Sequence, residues 1–310
     1  MKHFINLKDI PASDLSKILN DAKKRKNKRK KMHTLDIDKD RPLRGKLLIQ
    51  MYEKQSSRTR LSFHIAIKQL GADSITVKAN DLHLGKGGES LVDTAKIIST
   101  YGDGFLLRTD SDKKIEDFSK NLTIPIINLL SPSSHPCQVL SDIFTIEEIK
   151  MKSISKLNIC WIGDCNNVLN SLIAASVKFK FNLNVGCPKS YSPPKFVLDW
   201  VKKNKRKINI FNDPKKAAKN ADVVFSDKVV SLNDKVNKAK KIKDFKNYRI
   251  NSSLMKKTKK NSTIFLHCLP RGNEVSENVF SGKQSKVWQQ ALNRVHVQKS
   301  ILLYCFGKLR

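Results

Sequence analysis

Short apolar runs recur along this chain with helix-like segments between them, and that alternation restricts the fold more than any other feature. Leu47–Tyr52, Ile75–Val77, Phe105–Arg108 and Pro125–Leu129 read as strands in the first half. Leu157–Ile162, Leu183–Gly186, Ile208–Phe211, Asp222–Phe225 and Thr263–Leu266 repeat the pattern in the second. Between the first two runs, Thr59–Leu70 carries apolar residues at 61, 63, 65, 66, 67 and 70, which is helical spacing, and Gly71 supplies a left-handed cap. Further helices are predicted near 91–100, from Pro136 to about Lys150, near 167–179, and from about Gln289 to Tyr304. Such alternation predicts an α/β fold in which parallel sheets carry helices on their faces. The pattern restarts near 145–155, so a second domain is expected from there.

Length and composition narrow the function classes. A chain of 310 residues is long enough for two cores, and its 39% hydrophobic content excludes a disordered chain. No apolar run approaches the roughly 18 residues of a membrane span. The N-terminal Met1–Asp9 lacks the apolar core of about 7–15 residues found in secretory signals, which makes a cytoplasmic location the expectation. The six cysteines (137, 160, 165, 187, 268 and 305) show neither a C-x-x-C pair nor zinc-type spacing.

The formal net charge of +32 raises the question of nucleic acid, and the run Lys23–Lys31 is its densest part. Only 12 of the 60 basic residues are Arg, however, and the lysines are spread over the whole chain. No aromatic residues interleave with the basic run as stacking platforms would. A solvated face or loop is therefore the expectation for this run, with no specific nucleic-acid partner and no membrane.

Three polar clusters follow strand-like runs: Ser56-Ser57-Arg58-Thr59-Arg60, His135-Pro136-Cys137-Gln138 and His267-Cys268-Leu269-Pro270-Arg271. The first two also open helices. A helix start offers backbone N–H groups and the positive end of the dipole, which suits an anion. Arginines and hydroxyls at the same point add charge and directional donors, the chemistry of a phosphate site. In open parallel sheets ligands bind beyond the carboxyl ends of the strands, where all three clusters fall.

With these segments the chain resembles the aspartate/ornithine carbamoyltransferase family, and its ornithine class in particular. The resemblance covers nearly the whole length. It is carried also by Glu53-Lys54-Gln55 directly before Ser56, and by Leu84-Gly85-Lys86-Gly87, Leu107-Arg108-Thr109, Gly163-Asp164-Cys165-Asn166-Asn167, Ser226–Leu232 and Asn293-Arg294. It implies a carbamoyl-phosphate-binding domain at 1–148, an ornithine-binding domain at 149–286, and a C-terminal helix at 287–310 that packs back on the first domain. The implied reaction moves the carbamoyl group of carbamoyl phosphate to the δ-amine of ornithine, giving citrulline and phosphate in arginine biosynthesis. A homotrimer, or a multiple of trimers, with shared active sites is implied as well. No cofactor or metal is expected.

By the same resemblance, Ser56, Ser57, Arg58 and Thr59 bind the phosphate, with charge from Arg108 and Arg294. His135 donates to the carbonyl oxygen, an oxyanion-hole role. Gln138 holds the carbamoyl NH₂, His83 reaches carbamoyl phosphate from a neighbouring subunit, and Cys268 with Leu269 lies beside the reacting carbon. Asn167 takes the ornithine carboxylate, and Asp227 with Ser231 and Leu232 takes the α-ammonium end. Arg108, His135, Cys268 and Arg294 form the implied catalytic set.

Five positions depart from the family pattern. Ser57 stands for Thr, His83 for Gln, Leu232 for Met, Asn233 for Gly and Leu292 for Glu. The competing readings are a relative using another amine, putrescine first, and a basic nucleic-acid-binding protein on the same fold.

Overall fold

The computed structural model describes residues 2–78, 88–230 and 237–309. The chain divides into two compact units, Met1–Ser141 with Leu292–Arg310, and Asp142–Ala291. Both divisions fall inside helices. No shift in composition marks them, because the helical pattern runs on through each.

The first unit contains α1 (Ala12–Lys28), β1 (Leu47–Tyr52), α2 (Ser57–Gln69), β2 (Asp73–Lys78), α3 (Leu91–Tyr101), β3 (Gly104–Arg108), α4 (Asp112–Asn121), β4 (Ile126–Leu130) and the start of α5 (Pro136–Lys150). Its sheet is parallel, in the order β2-β1-β3-β4. Strands β1, β3 and β4 are buried along nearly their whole length, as helix-covered parallel strands must be. Ile49, Met51, Phe105, Leu107, Ile115 and Phe118 pack in one core cluster. Helix α2 ends where expected: Gly71 has φ +82°, and its N–H donates to the Lys68 carbonyl at 3.0 Å.

The lysines of the basic run are mostly exposed, as expected for a solvated face, but its two arginines are not. Lys23 to Lys28 belong to α1, and Arg25 and Arg29 are buried. Arg25 pairs with Asp21 at 3.1 Å, Asp38 at 3.1 Å and Asp40 at 2.9 Å. Arg29 pairs with Asp38 at 2.8 Å, and Lys299 reaches the same carboxylate at 2.6 Å from the C-terminal helix. The three buried cations thus meet three aspartates. Sequence periodicity alone could not separate these arginines from their solvated lysine neighbours.

Lys299 has no exposed side chain, and burial pulls its pKa from 10.5 down to about 8 despite Asp38. A lysine whose folded pKa is depressed destabilises the fold below that pKa, and the penalty lifts as pH rises from about 8 to 10.5. Lys299→Met is therefore expected to change stability by no more than about 1 kcal/mol at pH 7, since Asp38 keeps both arginines. Wild type should gain on the variant between pH 8 and 10. Urea unfolding at several pH values checks this, and a loss above about 2 kcal/mol at pH 7 would contradict it.

The second unit contains the rest of α5, then β5 (Asn158–Ile162), α6 (Asn167–Phe179), β6 (Asn182–Gly186), α7 (Lys195–Lys203), β7 (Asn209–Phe211), α8 (Pro214–Ala218), β8 (Val223–Ser226), α9 (Lys238–Asp244), α10 (Ser252–Lys256), β9 (Ile264–His267), α11 (Glu277–Phe280) and the start of α12 (Val287–Cys305). Its parallel sheet has the order β7-β6-β5-β8-β9. Helix α12 continues into the first unit. There Asn293 accepts from Lys26 at 2.7 Å, and the Ser300 hydroxyl donates to Asp21 at 2.6 Å, so the C-terminal helix packs on α1. Among the described residues no helix is long and apolar enough to cross a membrane.

Candidate active site

In the first unit the chain direction across the sheet reverses between β1 and β3, which are hydrogen-bonded neighbours. Beyond their carboxyl ends a crevice is expected, and the predicted phosphate residues collect there. Ser56 is the N-cap of α2, yet its hydroxyl makes no capping bond; it accepts instead from Arg108 Nη1 at 3.3 Å. Ser57, Arg58 and Thr59 form the first turn of α2, where backbone N–H groups lack intrahelical acceptors. Thr59 is buried, and its hydroxyl accepts from Arg294 Nη2 at 2.8 Å. A residue near the start of α2, one ending β3 and one on α12 are thereby joined.

The electrostatics of this cluster are one-sided. Burial, and then Arg294 and Arg58 against an opposing effect of Tyr52, lowers the Arg108 pKa to about 10. Arg108 Nε is buried with no hydrogen-bond partner among the described residues. His135 is buried just before α5 begins at Pro136. Burial holds its pKa well below 6.5, and Arg294, Arg108 and Arg58 push it the same way. Gln138, also buried, lies within the first turn of α5. Three guanidinium groups acting on one buried imidazole have the charge and donors for a dianion.

Arg60 belongs to a different contact, with its guanidinium 5.0 Å from the Tyr52 ring centre. Glu53, directly after β1, accepts from the Thr109 hydroxyl and from Lys114, and its own N–H donates to the Arg108 carbonyl at 3.0 Å. Glu53 therefore fixes the chain at Arg108 through its own N–H and just after it through its carboxylate.

In the second unit β5 and β8 flank the switch point of the sheet, and β9 follows β8. Gly163 leaves β5 at φ +138°, and a Cβ there would stand 3.2 Å from Ser226 Oγ. That hydroxyl donates to the Ile162 carbonyl at 2.7 Å, so the turn needs glycine for both reasons. The turn leads to Asn166, which caps α6 by accepting from Val168 and Leu169 N–H at 3.0 and 3.2 Å. Asn167 is the first residue of that helix. The Asn166 amide donates to Asp227 Oδ2 at 2.8 Å, directly after β8. Burial raises the Asp227 pKa, while His267, the Lys228 N–H and Asn166 hold it down. Asp164 pairs with buried Lys241 of α9 at 2.7 Å.

Strand β9 ends at His267, and Cys268 and Leu269 follow, both half-buried. His267 Nδ1 accepts the Leu269 N–H at 2.9 Å, so Nε2 carries the hydrogen facing Glu274 Oε1 at 3.0 Å. Burial pushes the Glu274 pKa up, but the His267 contact and the Gly272 N–H outweigh it and hold the pKa below 4.5. Leu269 has φ +58° and precedes a cis bond to Pro270. Arg271 turns elsewhere, to Glu277 at 2.5 Å and over the Phe280 ring at 4.2 Å.

The carbamoyl-P binding domain described for aspartate/ornithine carbamoyltransferases matches residues 2–148, and the Asp/Orn binding domain matches residues 155–305. The chain belongs to the aspartate/ornithine carbamoyltransferase family. Among relatives of this family member, an ornithine carbamoyltransferase from Ruthia magnifica is 41% identical over 306 residues, covering 98% of this chain and 99% of the relative. One from Brucella suis is 39% identical over 307 residues, covering 98% and 96%. Among solved structures, an ornithine carbamoyltransferase from Pyrococcus furiosus superposes with a TM-score of 0.91 at 36% identity, covering 100% of this chain and 98% of that one.

Sequence reasoning about this carbamoyltransferase relative missed four supporting residues, Glu53 in the first unit and Asn166, His267 and Glu274 in the second. Glu53, Asn166 and His267 lie inside the recognised segments, but their partners are distant in sequence. His83, Ser231 and Leu232, together with Asn233, lie outside the described residues. Leu292, where the family usually has Glu, is 58% exposed, whereas Arg294 is buried.

Proposed function

We propose that this family member transfers the carbamoyl group of carbamoyl phosphate to the δ-amine of L-ornithine, giving L-citrulline and phosphate. The observation that carries the reading is the grouping of Arg108 with Ser56 and of Arg294 with Thr59 around the start of α2, together with buried His135 at the start of α5, which Arg58, Arg108 and Arg294 all push toward its neutral form. A phosphate dianion offsets that charge, and the carbonyl next to it needs a neutral donor. His135, kept uncharged by burial and by three cations, supplies an N–H whose strength grows as the oxygen becomes an oxyanion. Ser56, Ser57 and Thr59 add hydroxyl and backbone donors, and Gln138 takes the carbamoyl NH₂. The Asp227 carboxylate suits the α-ammonium of ornithine, and Asn167 its carboxylate, which leaves the δ-amine as nucleophile. Cys268 and Leu269 line the reacting carbon, with Cys268 positioning rather than forming a covalent bond.

The neutral δ-amine adds to the carbamoyl carbon, and the C–O bond to phosphate breaks as the carbonyl reforms. The proton lost by nitrogen leaves with phosphate, so atoms and charge balance. Incubation with both substrates is expected to release citrulline and phosphate one to one. Phosphate release without an amine product would contradict the reading.

Only the unprotonated amine has the attacking lone pair, and a free pKa of about 10.4 makes that form rise about tenfold per pH unit below it. The expected kcat/KM for ornithine therefore climbs steadily through pH 6–8. His135 adds no limb there, because its pKa lies well below 6.5. An inflection in that range that His135→Gln removes would show a titrating His135 and contradict the donor role.

We also propose a cytoplasmic homotrimer serving arginine biosynthesis. Exposed Leu61, Ile75, Val92, Ile97 and Tyr101 on α2, the edge strand β2 and α3 offer apolar surface for a second copy of the chain. Sedimentation equilibrium should give three times 35.3 kDa, or a multiple of that trimer. His83 would then contribute to carbamoyl phosphate binding in a neighbouring subunit.

A further inference from the structure

We infer that Asn166 is a positioning residue that sets amine selectivity by holding both arms of the α-amino-acid site with one side chain; the inference rests on the ornithine reading above. Its two functional atoms point in different directions. Oδ1 accepts from the Val168 and Leu169 N–H groups at 3.0 and 3.2 Å and so fixes the first turn of α6, which begins with Asn167. Nδ2 donates to Asp227 Oδ2 at 2.8 Å and so fixes the carboxylate that follows β8. The carboxylate-binding and ammonium-binding arms thereby share one rigid amide, and their separation is set by its geometry.

The surroundings leave this side chain little freedom. Gly163 holds the turn against Ser226, one residue before Asp227. On the other side of the turn, Lys241 pins Asp164 at 2.7 Å, and the Trp161 indole N–H donates to the Asp164 carbonyl at 3.1 Å. An amide is the side chain that does both jobs at once. Aspartate keeps the capping acceptor but offers no donor to Asp227 when ionised, and serine keeps a cap with a shorter reach. Asp227 would then lose a hydrogen bond that favours its ionised form.

The test uses Asn166→Asp and Asn166→Ser in the full chain, with wild type as control for the reaction itself. Both variants retain an N-cap, so their thermal unfolding should match wild type within a few degrees. The expected result is a rise of at least tenfold in ornithine KM at saturating carbamoyl phosphate, with carbamoyl phosphate KM within twofold of wild type. Putrescine, which lacks both α-groups, should react equally well with variants and wild type. In Asn166→Asp the ornithine penalty should shrink as pH falls, because one proton shared between the two facing carboxylates restores a hydrogen bond to Asp227. Unchanged ornithine KM in folded variants would overturn the inference, as would an equal loss for ornithine and putrescine. Unfolding of both variants would also overturn it, by reducing Asn166 to a structural cap. A wild type that makes no citrulline would instead sink the ornithine reading on which the inference depends.

Discussion

Arg108→Ala is expected to lower kcat/KM by roughly 150-fold or more while leaving the protein at least as stable as wild type. The two halves of this expectation come from the same fact. In the free protein Arg108 is a partly buried cation beside two others, and burial with Arg294 and Arg58 lowers its pKa to about 10. Its Nε finds no hydrogen-bond partner among the described residues, and its Nη1 has only the 3.3 Å contact to Ser56. Removing it relieves charge crowding and desolvation. With phosphate bound, the same guanidinium would make charge-assisted bonds worth about 1.5–3 kcal/mol each, and a planar fork can make two. A loss of about 3 kcal/mol corresponds to the stated fold-change. Arg108→Lys keeps the charge without the fork and should fall between. Activity within twofold of wild type, or a fall of more than about 5 °C in Tm, would remove Arg108 from the proposed role.

Asp227→Asn is expected to cut kcat/KM for ornithine by about 2–5 kcal/mol, roughly 30-fold to several thousandfold, with a much smaller effect on putrescine. Burial already raises the Asp227 pKa, so its charge is costly in the empty protein and becomes useful when a cation neutralises it. An α-ammonium is such a cation, and putrescine has none at that carbon. The Asn166 amide bonded to Asp227 would face either the Asn oxygen or its NH₂ in the variant, so the fold should persist. Steady-state kinetics with both amines checks the prediction. Equal losses for the two would mean that Asp227 supports the structure and does not read the α-amino group.

Much of the fold is legible in the sequence because buried parallel strands are short apolar runs, and helices between them must cover both faces. The strand Leu47–Tyr52 and the Gly71 cap fall where the pattern places them. Helix α1 is different: its lysine-rich end gives little apolar signal, and the burial of Arg25 and Arg29 depends on Asp38, Asp40 and Lys299, which are remote or outside any motif. At the site, Ser56 with Arg108, and Thr59 with Arg294, come together across 52 and 235 residues of sequence. The family segments point to those residues, while residue spacing alone does not. Glu53, Asn166 and Glu274 are the reverse case. Each acts through hydrogen bonds to backbone or to another polar group, and such support is visible only once strand ends are adjacent.

The most direct test of the account is citrulline formation by the purified protein with carbamoyl phosphate and a panel of amines: ornithine, putrescine, aspartate and Nα-acetylornithine. The arrangement of Asp227 and Asn167 predicts that ornithine has the highest kcat/KM, at least about 30-fold above putrescine, given the 2–5 kcal/mol attached to a buried charged contact. Aspartate, whose second carboxylate would face Asp227, and Nα-acetylornithine, which lacks the α-ammonium, should be poorer still. Equal rates with ornithine and putrescine, or a preference for putrescine, would contradict the assignment of the second unit and move the activity to the diamine.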